Sequence, residues 1–277
     1  MRIDAHQHFW RIERGDYGWL TPDLGVIYRD YLPGDLAPLI ERSGMEATVL
    51  IQAAPSPAET AFLIDLAART PFVAGVIGWV DFEAPDAAIQ IANLSASPKV
   101  VGLRPMIQDL ADDAWMLRPT LAPAIEAMTE AGLTFDALVM PRHLPILRQF
   151  ADRWPGLRIV IDHGAKPNIM AGALEPWASE IRAIASESEC FCKLSGLVTE
   201  AAPGRAEGDL WPYVDALFDA FGPRRLMWGS DWPVLNRSCD YLTWLDIASR
   251  GVTRHVGPTD AEWIFGRTAA AFYGLKT

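Results

Sequence analysis

Eight short runs rich in β-branched and aliphatic residues recur along the 277-residue chain, each followed by a longer amphipathic stretch. The runs cover residues 2–8, 47–53, 72–81, 100–105, 134–139, 158–163, 191–196 and 226–231. Helical patterns cover 36–42, 58–69, 86–94, 121–131, 142–154, 174–188 and 209–221, and two more, 240–249 and 260–273, follow the last run. Pro57 and Pro85-Asp86 are helix-start signals, and Gly132 and Gly156 sit where two helices should stop. Runs such as Val49-Leu50-Ile51 and Ile159-Val160-Ile161 are apolar on both faces, as buried parallel strands are. Alternation of this kind predicts a parallel α/β fold, and eight units predict a (β/α)8 TIM barrel, with residues 1–277 as a single domain. An open doubly wound sheet is the competing arrangement. It is disfavoured because no glycine-rich dinucleotide fingerprint follows any strand, and because polar residues gather at strand C-termini, where a barrel sets its active site.

Composition narrows the function classes. Half of the residues are hydrophobic, enough for a large core, and no apolar run reaches the roughly 18–20 residues a membrane span requires. The first residues show no apolar leader, so a cytoplasmic protein is expected. A net charge of -11 without any Lys/Arg run argues against nucleic-acid partners. Three cysteines, Cys190, Cys192 and Cys239, do not form a disulfide framework, and Cys190 and Cys192 read as buried thiols. The longest insertion, residues 9–35, carries Trp10, Tyr17, Trp19, Tyr28 and Tyr31. At the mouth of a barrel it is either a lid over the substrate or an aromatic cluster packed on the rim.

The chemistry collects where the runs end. His6 and His8 lie two apart on the first strand, so both project to one side, about 6–7 Å apart along the axis. Gln52 ends the second strand, Trp79 and Asp81 the third, Arg104 the fourth, His163 the sixth and Asp231 the eighth, while Asp136 and Lys193 lie within the fifth and seventh. A closed barrel makes its first and eighth strands neighbours, which brings His6, His8 and Asp231 together and sets His163 across the rim. Three imidazoles and one carboxylate are a mononuclear divalent-metal set. Lys193 in mid-strand needs a partner, either in the site or an acid such as Asp136. Arg104 suits an anion or hydroxyl grip, or an ion pair across the rim. His143 and His255 fall in helix or loop context and read as structural.

These residues resemble those of the amidohydrolase superfamily (family 2 type). The stretches that carry the resemblance are Asp4-Ala-His-Gln-His-Phe-Trp10, Asp30-Tyr-Leu-Pro33, Glu59-Thr-Ala-Phe62, Gly78-Trp79, Cys192-Lys-Leu-Ser-Gly-Leu-Val-Thr-Glu200 and Leu226-Met-Trp-Gly-Ser-Asp-Trp-Pro233. Within the superfamily the chain is similar to the sugar-lactonase branch and its L-fuconolactonase group. The resemblance implies a barrel that hydrolyses a small-molecule sugar lactone, with His6, His8, His163 and Asp231 as the catalytic cluster and as the ligands of one Zn2+ or another divalent cation. Two departures argue against a binuclear centre: Arg104 ends the fourth strand where a bridging Lys or Glu would be needed, and Asp136 stands where a second His would end the fifth. Some lactonases of this branch need no metal, so metal-independent hydrolysis is the other expectation.

The mechanism this implies has Asp231 as general base on water, with His6, His8 and His163 stabilising the oxyanion directly or through one Zn2+. An aspartate near its ordinary pKa of about 3.9 is ionised at neutral pH. General-base help of roughly 10²–10⁴ and an oxyanion donor worth about 10²–10³ suffice for an activated ester such as a lactone. Gln52, Trp79, Arg104, Asp136 and Lys193 are the expected substrate-binding residues. The alternatives on the same barrel are a metal-dependent decarboxylase and a lactone isomerase; a sugar-binding protein without catalysis would have little use for the four-residue cluster.

Overall fold

A computed structural model describes residues 1–201 and 207–276. Its strands are β1 (Ile3–Gln7), β2 (Ala47–Ile51), β3 (Val73–Gly78), β4 (Val100–Leu103), β5 (Thr134–Ala137), β6 (Ile159–Ile161), β7 (Phe191–Leu194) and β8 (Leu226–Trp228). They form one sheet in sequence order, each parallel to the next. The chain folds as the TIM barrel expected from the alternation. Helices α1 (Pro33–Ser43), α2 (Pro57–Arg69), α3 (Ala87–Ser95), α4 (Ala122–Glu130), α5 (Leu144–Arg153), α6 (Trp177–Glu187), α7 (Trp211–Arg225) and α8 (Tyr241–Thr253) cover the strands. The last helical pattern is split, into α9 (Pro258–Glu262), a π-turn (Trp263–Arg267) and α10 (Thr268–Tyr273). Among the described residues no helix is long and apolar enough to cross a membrane.

Closure depends on the residues just past β8. The amide of Asp231 donates to the carbonyl of His6 (2.8 Å), and that of His8 donates to Trp232 (2.7 Å). Buried Asp4 clasps this seam: its carboxylate accepts from the Ser230 amide (2.8 Å), the His6 amide (3.2 Å) and the Tyr241 hydroxyl (3.1 Å). Two backbone amides and one hydroxyl offset part of the desolvation that burial imposes on this carboxylate, which is still raised to about 6.

The observed strands stop short of the runs read from sequence. β3 ends at Gly78, β6 at Ile161 and β8 at Trp228, so Trp79, His163 and Asp231 stand beyond the ladder. The reason is local backbone chemistry. Pro105 cannot donate a ladder hydrogen bond after β4, and both His163 (φ 53°) and Asp231 (φ 59°) take the left-handed conformation, which no strand continues.

β1 carries a bulge that matters for the site. Three steps along it, Asp4 to Gln7, match two steps on β2, Thr48 to Leu50. Ile3 and Ala5 pack inside the barrel with Val49, Ile51, Val160 and Met227, while Asp4 turns outward to Tyr241 on α8. Beyond the extra residue the parity changes, and His6 and His8 also face inward. The floor of the interior is filled from the far end by Phe272, Tyr273 and Leu275, and the Tyr273 hydroxyl reaches up to donate to Asp136 (2.7 Å).

The aromatic insertion is a packed rim cluster. Trp10 and Tyr31 are buried and meet edge-to-face at 5.7 Å, and Tyr31 meets Trp232 in the same way at 5.1 Å. Trp19 alone stays substantially exposed, at 38%, tied by its indole N–H to the carbonyl of Ala53 (2.7 Å).

Candidate active site

Four side chains converge at the C-terminal mouth of the barrel. His6 Nε2 lies 3.1 Å from His8 Nε2 and 3.6 Å from Asp231 Oδ1; His8 Nε2 is 3.3 Å and His163 Nε2 3.8 Å from the same oxygen. The backbone is shaped to permit this. A Cβ on Gly196 would stand 2.6 Å from the His163 ring, and one on Gly229 would stand 2.7 Å from His6 Cβ. Glycine at both positions gives the two imidazoles their room, which explains why Ser-Gly and Gly-Ser-Asp precede and contain the cluster.

Burial dominates the electrostatics. It lowers His6 and His8 below the ordinary imidazole range and takes His163 down to about 4, so all three rings are neutral at pH 7. Burial alone would raise the Asp231 carboxyl, but His163, His8 and His6 outweigh it and hold it well below the usual carboxylate range. Asp231 is therefore not the ordinary aspartate assumed from sequence: its ionisation is secured at the expense of basicity.

The outer nitrogens are oriented. His8 Nδ1 meets the Ile51 carbonyl at 2.9 Å, which fixes its proton there and leaves Nε2 bare, and His163 Nδ1 meets Ser195 Oγ at 2.9 Å. Asp162 Oδ1, buried and paired with Lys193 Nζ at 2.9 Å, stands 3.5 Å from His6 Nδ1. It is placed to accept that N–H and free His6 Nε2. A tetrahedral zinc site with bonds of about 2.0–2.2 Å has ligand atoms about 3.3 Å apart. The donor atoms of His6, His163 and Asp231 all lie within 4.8 Å of one another, so these three suit one divalent cation, and His8 Nε2 stands beside them.

Beneath the cluster lies a buried ionic layer. Lys193 Nζ is 2.6 Å from Asp136, 2.9 Å from Asp162 and 3.2 Å from His6 Nδ1, and none of the three side chains that form these ion pairs reaches solvent. Arg104 donates to Asp162 (3.1 Å) and to the Gln52 carbonyl, and its Nη1 is 3.4 Å from His6 Nε2; the Gln52 amide donates back to the Arg104 carbonyl (2.7 Å). Of the residues expected to bind substrate, Arg104 lines the cavity of about 300 Å3 above the cluster, Trp79 lines a neighbouring chamber, and Gln52, Asp136 and Lys193 lie below and behind. His143 and His255 pair with Asp113 (3.1 Å) and Asp215 (2.7 Å) away from this cavity.

Sequence reasoning did not single out Asp162, Ser195, Lys166 or Arg237. Lys166 and Arg237 give the cavity two further cations, and Asp162 was visible only as the residue before His163. Glu59 was noted as part of a motif, and its role is now apparent: buried at the start of α2, it accepts from the amides of Ala53 (2.8 Å) and Ala54 (3.0 Å) and so holds the loop that carries Trp19's anchor. Burial raises this carboxyl from 4.5 to about 7, against the pull of those two donors. The stability it confers is thus present below about pH 4.5 and lost as pH rises through about 7, a difference of about 3 kcal/mol. Denaturant unfolding at pH 5 and pH 8 should show the stability of wild type over Glu59→Gln shrinking with pH; a pH-independent difference would refute this.

Residues 3–275 match the family model described as amidohydrolase. The chain belongs to the amidohydrolase family. It is 50% identical over 277 residues to an L-fucono-1,5-lactonase of Burkholderia ambifaria, covering 99% of this chain and 96% of the relative, and 37% identical to an L-fucono-1,5-lactonase of Burkholderia multivorans, with 99% and 96% covered. A crystal structure of an amidohydrolase from Burkholderia multivorans with bound Zn superposes with a TM-score of 0.95 over 100% of both chains, at 37% identity. The family match therefore runs from β1 to α10.

Proposed function

We propose that this amidohydrolase opens a sugar (aldonic acid) lactone of the L-fucono-1,5-lactone type by hydrolysis, with Asp231, His6, His8 and His163 as the catalytic cluster. One observation carries the reading: an ionised carboxylate and three neutral imidazoles converge on the floor of a cavity sized for one sugar ring, in a chain that shares half its residues with an L-fucono-1,5-lactonase. Asp231 accepts a proton from the attacking water and returns it to the ring oxygen as the acyl C–O bond breaks. Arg104, Lys166 and Arg237 are the donors that line the cavity for the developing oxyanion, and they give it a cationic wall suited to the aldonate product. Gln52 and the Asp136–Lys193 pair act on substrate at one remove, by fixing Arg104 and His6.

His6, His8, His163 and Asp231 would hold one divalent cation, for which zinc is our choice. When bound, such an ion supplies Lewis-acid polarisation of the lactone carbonyl. The bound zinc in the 37% identical amidohydrolase structure supports this. Proton release from L-fucono-1,5-lactone, followed on chelator-treated and zinc-reloaded protein, tests both parts. Hydrolysis above the buffer rate is expected, with activity lost on chelation and restored by zinc. No hydrolysis in either form removes the lactonase reading, and full activity after complete chelation removes the metal.

A further inference from the structure

The catalytic cavity is not the only space at the barrel mouth. A second chamber of about 510 Å3 adjoins it, and the two share Trp19, Met106 and Asp109 as a common wall. The chamber sits over the loops that follow β2, β3 and β4, to one side of the His/Asp cluster. It is larger than the cavity that holds the reacting ring, and the reaction proposed above leaves it unused.

Its lining has a distinct chemistry. Trp19, Trp79, Phe82 and Trp115 give it four aromatic walls. Among the described residues four carboxylates line it, Asp16, Asp81, Glu83 and Asp109, and no Lys or Arg does. Two of these are already neutralised from behind: Glu83 pairs with Arg118 (2.9 Å) and Asp16 with Arg14 (2.7 Å). Asp81 and Asp109 have no ion pair of their own among the described residues, and their oxygens remain hydrogen-bond acceptors at the chamber wall. The catalytic cavity is the reverse, with Arg104, Lys166 and Arg237 around the cluster.

Aromatic faces offer an electron-rich surface to C–H groups, and carboxylates accept from hydroxyls, so such a lining suits a neutral polyhydroxylated ring and repels an anion. Resting on the lactonase reading, we propose that the chamber is a subsite for a neutral glycosyl group carried by the lactone. The protein then acts on lactones of glycosylated aldonic acids, with the glycosyl group in the aromatic chamber and the lactone carbonyl at the cluster.

The test uses the full-length protein, loaded with zinc, and three kinds of substrate. L-Fucono-1,5-lactone reports on the lactonase reading alone. D-Glucono-1,5-lactone is compared with its glycosylated forms, cellobiono-1,5-lactone (glycosylated at O4) and melibiono-1,5-lactone (at O6). At least one glycosylated lactone should show a KM at least tenfold below that of the parent. Two variants fill the chamber: Gly18→Trp, whose added Cβ meets nothing within 4 Å, and Leu110→Trp on the facing loop. Both should abolish the advantage of the glycosylated lactone and leave kcat/KM for the unglycosylated ones within twofold of wild type. Turnover of L-fucono-1,5-lactone without turnover of either glycosylated lactone overturns the inference and spares the lactonase reading. So does an unchanged KM, or an equal loss on all substrates in both variants. No turnover of any lactone overturns both.

Discussion

Replacing Asp231 by Asn lowers kcat for lactone opening by at least a hundredfold and leaves the melting temperature of the protein close to that of wild type. The magnitude follows from removing a general base, worth roughly 10²–10⁴ in rate. The folding half follows from the backbone. Asp231 sits at φ 59°, in the left-handed region, and asparagine is among the few non-glycine residues that tolerate it well. Asn also preserves the side-chain volume among His6, His8 and His163. Because the imidazoles hold Asp231 below the ordinary carboxylate range, it is a weaker base than a free aspartate. A loss at the lower end of the range, near a hundredfold, is therefore expected. Steady-state kinetics with thermal unfolding on the same preparation decide the matter: near-normal turnover removes Asp231 from the mechanism.

The second large effect is on stability. Lys193→Met should destabilise the fold by about 3–5 kcal/mol, since it strands Asp136 as a buried carboxylate without a cation and leaves Asp162 with Arg104 alone. For a chain of this size that is a drop in melting temperature on the order of 10 °C. Removing one of the two charges as well, in Lys193→Met with Asp136→Asn, should recover part of the loss; the two residues touch, so their effects are not additive. A single variant as stable as wild type would mean that the ionic layer contributes nothing net, and a double variant worse than the single would mean that the Asp136 charge is not what destabilises it.

The barrel was legible because each strand announces itself by an apolar run, and the runs recur with helix-length spacing. The site was legible in part, and for reasons that differ residue by residue. His6 and His8 were placed together by simple alternation, yet Ile3 and Ala5 also face inward, so it is the bulge between Asp4 and Gln7 that delivers the pair to the interior. No sequence signal marks that bulge. On β6 alternation misleads: Val160 and Asp162 share the inner face, which should send His163 outward, and only its left-handed backbone returns it to the cluster. That is why one residue of the Asp-His pair was read as functional and its neighbour was not, although both face His6. Lys193 is matched with Asp136 already in the sequence, because a buried ammonium demands an acid, and the pair forms across 57 residues; the partner of Arg104, Asp162, lies 58 residues away, a distance that local pattern cannot bridge. Asp231 was given an ordinary acidity because a pKa is set by neighbours that only the folded chain assembles.

The clasp of Asp4 onto the Ser230 amide and Tyr241 has a consequence for how the molecule comes to be active. Two of the four side chains proposed as the cluster stand within the opening eight residues, and the fourth comes more than two hundred positions later. As a nascent polypeptide emerges, two of its three cluster imidazoles are made early and have nothing to act with. The proposed site is complete only once the residues past the final strand dock on the first, so a chain interrupted before that point has the parts of a catalyst but no catalyst.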